Sequence, residues 1–221
     1  AVQEQVQRSV FWWNKVATYA QRKPSPLNGF DLFNYMALIV CARARDYAEI
    51  TFHKFADELE AKDAAGQYAF GAPENEKHRV TWEGIAVWTY LGATFKGLKN
   101  QGAVMTGSAY PGLWSLVYTP GDLESMAEAY TNVYINTCGP NRYEEFYKVV
   151  KNSKSDGIVL HLNRSCKLMG LLNNEGAEYV NAKMGVPYVS FDGDQTDPRV
   201  FTPAQYETRV QALTEMMDEN Q

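Results

Sequence analysis

Cys166 stands where the sequence favours a reactive thiolate. It follows residues 156–162, an almost purely apolar run typical of a buried strand, and it precedes a predicted helix over residues 167–183. Backbone N–H groups and the dipole at the start of a helix favour an anion, and Arg164 and Lys167 add positive charge. A thiolate here suits a metal ligand or a nucleophile. The other interpretation of Cys166 is a small buried hydrophobic residue.

The two functional interpretations of Cys166 make different demands. A nucleophile needs a base, and His161 is the nearby histidine, although it can equally be structural. An iron–sulfur cubane needs several thiolates, and the sequence has no CxxC-type spacing. We expect Cys41 in the core and Cys138 at the end of a helix, where the dipole disfavours a thiolate. A cluster therefore requires cysteines from outside this chain.

Polar residues follow all four predicted strands, and in parallel sheets such strand ends share one edge. Ser108 lies in a glycine-flanked turn whose N–H groups can hold a phosphate or thioester oxygen, and Tyr110 follows it. Glu83 suits a general base or a helix-capping anion. The last loop contains three aspartates, Asp192, Asp194 and Asp197. They suit a divalent cation or, as we favour, turns and caps.

The first third of the chain has a helical pattern. Residues 1–22 carry apolar side chains at steps of three and four, and the prolines that follow end this helix. Residues 31–65 are predicted helical, with Asp31 as N-cap and a break near Asp46. The glycine- and proline-containing residues 66–77 indicate a linker.

The remaining sequence alternates strands with helices. Predicted strands cover residues 78–85, 103–106, 156–162 and 186–191, and predicted helices cover 89–100, 122–136, 141–153 and 167–183, with a last one that Thr202 opens as N-cap. This alternation predicts an α/β fold, a four-stranded parallel sheet with flanking helices, preceded by a helical region. We divide the chain into a helical region and linker, 1–76, and an α/β domain, 77–221.

Composition narrows the range of partners. The chain has 221 residues, 45% of them hydrophobic, and a formal net charge of −5. This charge argues against nucleic acid or an anionic membrane as partner. Three widely spaced cysteines favour a reducing compartment over a disulfide framework. Without a membrane-spanning apolar stretch or a signal-peptide pattern at residues 1–7, we expect a cytoplasmic protein.

Several segments resemble a known family. Residues 161–167 (HLNRSCK) and 186–199 (VPYVSFDGDQTDPR) closely resemble the 2-hydroxyacyl-CoA dehydratases, which are relatives of benzoyl-CoA reductases. Residues 82–88, 105–114 and 205–213 also resemble family segments, so the similarity extends from about 78 to 217. The longer motifs look most like the α subunit, and this chain resembles its carboxy-terminal portion.

The resemblance implies one half of a two-domain subunit that holds a [4Fe–4S] cluster through three cysteines. Cys166 matches one of these ligands, and the other two belong to an amino-terminal domain that this sequence lacks. Asn163 is then a residue that orients the cysteine loop. Ser108, Glu83 and Tyr110 are the candidate substrate-binding residues, and no catalytic residue is assigned.

The implied reaction is removal of water from an (R)-2-hydroxyacyl-CoA, with 2-hydroxyglutaryl-CoA as first guess. An ATP-dependent iron–sulfur activator supplies one electron, a ketyl radical forms, and an (E)-2-enoyl-CoA results. The partners are the acyl-CoA, a homologous second subunit and the activator, and the isolated chain is expected to be inactive. The alternatives are a benzoyl-CoA-reductase-type subunit, a non-catalytic subunit for CoA-thioester binding or assembly, and a thioesterase using Cys166 and His161.

Overall fold

The strands form a four-stranded parallel sheet, as the sequence predicts. A computed structural model describes residues 1–220, with β1 His78–Glu83, β2 Ala103–Gly107, β3 Gly157–Asn163 and β4 Tyr188–Gly193. The strand order is β2-β1-β3-β4, and all three pairings are parallel. Because all strands run the same way, the loops after them lie at one edge of the sheet.

The helices surround this sheet and precede it. Their bounds are α1 Val2–Tyr19, α2 Gly29–Cys41, α3 Asp46–Ala64, α4 Leu91–Asn100, α5 Ala109–Gly112, α6 Leu123–Thr131, α7 Gly139–Asn152, α8 Lys167–Gly170, α9 Asn173–Met184 and α10 Pro203–Glu219. Within residues 1–220, none of these helices has both the length and the apolar character needed to cross a membrane.

The sheet is covered on both faces, as expected for parallel strands. One face packs against α2, α4 and α10 around Trp82, Phe191 and Tyr206. The opposite face packs against α7 and α9 through residues such as Phe146 and Leu160. Burial of each large apolar side chain stabilises the fold by about 2 kcal/mol.

Helix α2 belongs to two cores at once. Phe30 and Phe33 contact Trp82 of the sheet, with ring centroids 5.5 and 6.3 Å away. Leu32 and Ile39, on another face of α2, pack with α1 and α3 in the helical core. The division at residue 76 stays a prediction, and α2 makes extensive contacts across it.

One of three predicted helix starts differs in the structure. Asn28, not Asp31, is the N-cap of α2, because its side-chain Oδ1 accepts a hydrogen bond from the N–H of Phe30 at 3.0 Å. The predicted break near Asp46 is confirmed by the start of α3. Thr202 is the N-cap of α10, as predicted, but its side chain makes no capping hydrogen bond.

Cys41 and Cys138 do not lie where we expected them, in the core and at the end of a helix. Cys41 is exposed, because the buried face of α2 follows Leu32, Met36 and Ile39 and the last residue of the helix falls outside that face. Cys138 is also exposed and is the N-cap of α7, not the end of a helix. The Gly139-Pro140 pair explains this difference, since proline is favoured in the first turn of a helix and disfavoured further in.

Candidate functional site

Cys166 lies between β3 and α8 at the carboxyl edge of the sheet. It is the N-cap of α8, as predicted, and is a free, half-buried cysteine. Its side chain packs against the cluster of Ile85, Leu113 and Met169. The predicted long helix is broken, however, and α8 has four residues. A single helical turn offers a weaker dipole than the long helix that the sequence predicts.

Asn163 connects the Cys166 loop to the loop after β4. Its Oδ1 accepts hydrogen bonds from the N–H of Ser165 at 3.3 Å and of Gln195 at 3.2 Å, and its amide donates to Oε1 of Gln195 at 3.1 Å. Ser165 Oγ in turn donates to Asp194. This geometry suits the predicted positioning of the cysteine loop, and that role stays a prediction.

Two of the three aspartates, Asp194 and Asp197, form turns after β4, as we favoured, whereas Asp192 lies within β4 with its carboxylate 3.8 Å from the Arg164 guanidinium. Asp194 accepts from the N–H groups of Thr196 and Asp197, both at 2.9 Å. The Ser165 hydroxyl and these N–H groups hold the pKa of Asp194 far below its usual range. Asp197 caps the next turn through the N–H of Arg199 at 3.0 Å. Within residues 1–220, no group of three or more His, Cys, Asp or Glu is placed to hold a metal.

Glu83, the last residue of β1, is a fully buried carboxyl group. The hydroxyl of Tyr134 donates to its Oε1 at 2.8 Å, and its Oε2 has no hydrogen-bond partner among the described residues. Burial raises the pKa of Glu83 to about 7, although Tyr134 and the positive charge of Arg142 oppose this rise. A carboxyl group with this pKa can hold or release a proton near neutral pH.

Arg142 links Glu83 to the Cys166 turn. Its buried guanidinium donates to the carbonyl oxygens of Leu168 at 2.7 Å and Met169 at 3.0 Å, and it lies 4.6 Å from the centroid of the Tyr134 ring. A continuous helix would give those carbonyls to its own N–H groups four residues on. Arg142 therefore accounts for the break between α8 and α9.

Sequence reasoning missed both Arg142 and Tyr134. The available signal was the spacing of Arg142, Phe146 and Val150 at steps of four, which places the arginine on the buried face of α7. A charged residue on an apolar helical face needs a buried partner and therefore deserved a place among the candidate residues. No comparable signal distinguishes Tyr134.

Of the three predicted substrate-binding residues, Glu83 is fully buried, and Ser108 and Tyr110 face different cavities. Ser108 Oγ is buried without a hydrogen-bond partner in residues 1–220, and Ser108 lines a cavity of 290 Å³ bounded by the end of β2 and helices α1, α2 and α7. Tyr110 lines a separate groove beside α2. Burial raises the pKa of the Tyr110 hydroxyl, and the nearby Cys166 adds to the rise. The structure thus brings Tyr110 close to Cys166, whereas Ser108 faces another cavity.

The His161 side chain contacts Ile85 and Phe191 instead of Cys166. Its Nδ1–H donates to the carbonyl oxygen of Ile85 at 2.5 Å, and its ring stacks on Phe191 at 5.1 Å. Burial lowers its pKa, with the Ile85 carbonyl opposing. Its Nε2 has no hydrogen-bond partner among the described residues, so the cysteine–histidine pair that a thioesterase needs is not formed.

Known proteins are similar in sequence to this chain over almost its full length. Residues 1–217 match the family described as 2-hydroxyglutaryl-CoA dehydratase, D-component. The chain is 61% identical to the lactoyl-CoA dehydratase subunit alpha of Anaerotignum propionicum, covering 99% of this chain and 52% of that protein. It is 43% identical to the (R)-2-hydroxyisocaproyl-CoA dehydratase alpha subunit of Clostridioides difficile, with 94% and 50% covered.

The name of a third relative contains the acyl group that we predicted first for the substrate. It is the (R)-2-hydroxyglutaryl-CoA dehydratase subunit alpha of Acidaminococcus fermentans, 41% identical, with 94% of this chain and 43% of that protein covered. The chain thus spans about half the length of the curated relatives that it matches.

Proposed function

The chain belongs to the 2-hydroxyglutaryl-CoA dehydratase D-component family, and from this membership we propose that it forms part of an (R)-2-hydroxyacyl-CoA dehydratase. The complete enzyme removes water from a 2-hydroxyacyl thioester through a ketyl radical to give an (E)-2-enoyl-CoA. The observation that supports a catalytic part for this chain is the placement of Cys166, half-buried and free at the carboxyl edge of a parallel sheet.

The residues present fit one ligand of the proposed [4Fe–4S] cluster. Cys166 is a partly accessible thiol, and no further cysteine joins it in a potential metal site within residues 1–220. The remaining ligands must therefore come from outside the described residues. Such a cluster, when bound, supplies an electron carrier and a Lewis-acidic iron.

The surrounding side chains have distinct tasks in this proposal. Asn163 sets the path of the chain into Cys166, and Arg142 holds the turn that follows it. Glu83 keeps a proton at its carboxyl group beside Tyr134 near neutral pH. Tyr110 contributes to the wall on the substrate side, and Ser108 is the second candidate contact, reached through its own cavity.

The proposed partners follow from the relatives' subunit names and from the reaction. The relatives are named alpha subunits, which supports a second subunit as partner. In this proposal, an ATP-dependent iron–sulfur activator supplies the electron. The relatives' names include lactoyl, hydroxyisocaproyl and hydroxyglutaryl groups. They therefore leave the acyl group of this substrate open, and a cytoplasmic location remains part of the proposal.

Iron analysis of a cysteine variant tests the proposal. The full-length subunit is purified without oxygen together with its partner subunit, and iron, sulfide and activator-dependent dehydration are measured. We expect Cys166→Ala to lose cluster iron and activity, because a thiolate ligand is gone. Cys138→Ala is the matched control, since Cys138 is exposed and belongs to no candidate site. Unchanged iron in Cys166→Ala would contradict the ligand assignment.

A further inference from the structure

An apolar groove runs along α2 beside the Cys166 turn. Its volume is 650 Å³, within the range of small-molecule sites. Six of its residues supply most of the apolar wall: Phe33, Met36, Val40, Trp88, Tyr110 and Trp114. We call it the α2 groove. Among its lining residues in the described part of the chain, none is Lys, Arg or His.

The α2 groove shares two wall residues with the surroundings of Cys166. Tyr110 and Trp114 line the groove and also pack against the cluster of Leu113 and Met169 that contacts Cys166. The N–H of Trp88, another residue of the groove wall, donates to the carbonyl oxygen of Gln195 at 3.2 Å. Asn163 also forms hydrogen bonds with Gln195. Gln195 therefore connects the groove wall at Trp88 to the loop that contains Cys166.

A more polar cavity adjoins the groove. It has a volume of 510 Å³ and shares Asn34 and Leu91 with the α2 groove. Its walls include Asn28, Gln67 and Lys62, together with the carboxyl group of Asp31. An extended ligand with one apolar and one amide-rich part can therefore lie along α2 with each part in matching surroundings.

We propose that the α2 groove binds the acyl chain of the thioester substrate and selects an apolar chain over a dicarboxylic one. This inference rests on the proposed function and sets aside 2-hydroxyglutaryl-CoA, our first guess, as the preferred substrate. A second carboxylate in the groove would lose its water without gaining a cationic partner, which is costly. Aromatic and aliphatic walls instead stabilise an apolar chain through burial.

Two exposed cysteines allow a direct binding test. Cys41 lines the α2 groove, whereas Cys138 lies outside it. In the complete enzyme, a branched aliphatic 2-hydroxyacyl-CoA at about ten times its dissociation constant should slow maleimide alkylation of Cys41 about tenfold. Alkylation of Cys138 should not change. Peptide mass spectrometry measures both rates, and free CoA is the ligand control for the acyl group.

Two labelling results would overturn the proposal. Equal alkylation of Cys41 with and without the thioester means that the acyl chain lies elsewhere. Failure of Cys41 to react even without the thioester, while Cys138 reacts, means that polypeptide covers the groove in the complete enzyme.

A charge placed in the groove tests selectivity. Ala37 is exposed and lines the groove, so Ala37→Arg should be accepted by the fold. The arginine can pair with a dicarboxylic acyl group and should lower the preference in kcat/KM for the branched aliphatic over the hydroxyglutaryl thioester by about tenfold. Tyr35→Arg, exposed on the same helix outside the groove, should leave the preference unchanged.

The two proposals fail in different ways. An unchanged preference in Ala37→Arg, or a wild-type preference for the dicarboxylic thioester, would refute the groove assignment while leaving the dehydratase proposal intact. If the complete wild-type enzyme dehydrates none of the lactoyl, branched aliphatic and hydroxyglutaryl thioesters, the proposed function fails, and protection of Cys41 still reports whether the groove holds an acyl chain.

Discussion

Glu83 is a buried carboxyl group whose pKa lies near neutral pH. Burial raises its pKa from 4.5 to about 7, so the folded protein binds this proton more tightly than the unfolded chain. Between these two values, unfolding releases a proton. Folding stability contributed by this site is therefore complete at low pH and is lost as the pH rises towards 7.

Glu83→Gln should remove this pH dependence. Glutamine keeps an acceptor for the Tyr134 hydroxyl but has no proton to lose in this range. We expect the variant to gain about 3 kcal/mol relative to wild type on going from pH 4 to pH 8, measured by urea unfolding at both values. Glu178→Gln on the exposed side of α9 serves as the control. A wild-type pH profile in Glu83→Gln would contradict the assigned protonation.

Arg142 should keep the turn after Cys166 well ordered. Arg142→Met leaves the carbonyl oxygens of Leu168 and Met169 without their donor, and we expect a loss of about 3 kcal/mol in unfolding free energy. Amide hydrogen exchange at residues 167–171 should become faster. Arg164→Met, a change of the same type at an exposed side chain nearby, should alter neither measurement. Unchanged amide hydrogen exchange in Arg142→Met would show that Arg142 does not hold this turn in place.

At the scale of elements, local signals were sufficient to find the sheet. Each strand begins within two residues of its predicted start, because short runs of β-branched and apolar residues are bounded by turn-forming ones. The break between α8 and α9 was not predictable in this way, since the groups that cause it belong to Arg142 on another helix.

The site was predictable only in part for a similar reason. Cys166 was placed correctly because a strand directly precedes it and a helical turn follows. Whether two loops meet depends on strand order, which the sequence pattern does not reveal. Ser108 and Tyr110 both follow the edge strand β2, yet Ser108 faces a separate cavity and Tyr110 packs near Cys166, so strand order alone does not decide which of them lies at the site.

Helix α4 offers a test of how closely elements pack. A Cβ at Gly97 would lie 2.6 Å from Cε1 of Tyr206 on α10, so Gly97→Ala should destabilise the fold by about 2 kcal/mol. Gly92→Ala, in the same helix with no atom within 4 Å, should instead stabilise it by about 0.5–1 kcal/mol. Thermal and urea unfolding of both variants measure the difference. Equal effects would show that α4 and α10 pack less closely than described.

At the scale of the whole molecule, α2 should make unfolding cooperative. Trp13 lies in the helical core and Trp82 in the sheet core, and α2 contributes to both. We expect one urea transition, with tryptophan fluorescence and far-UV circular dichroism giving the same midpoint. Two separate transitions would favour independent units divided near residue 76.

Phe33→Ala should weaken the contact between α2 and the sheet. We expect it to lower the urea midpoint and to reduce the free energy of unfolding by about 3–5 kcal/mol.

The two buried faces of α2 also restrict how a new acyl preference could evolve. Its exposed groove positions are Asn34, Ala37 and Cys41, one on each successive turn. Mutations there would reshape the groove without disturbing either core, whereas a change at Phe33 or Met36 would threaten folding as well. Diversification within this lineage would therefore concentrate at three sites along one helical stripe and leave the buried positions of the helix under purifying selection.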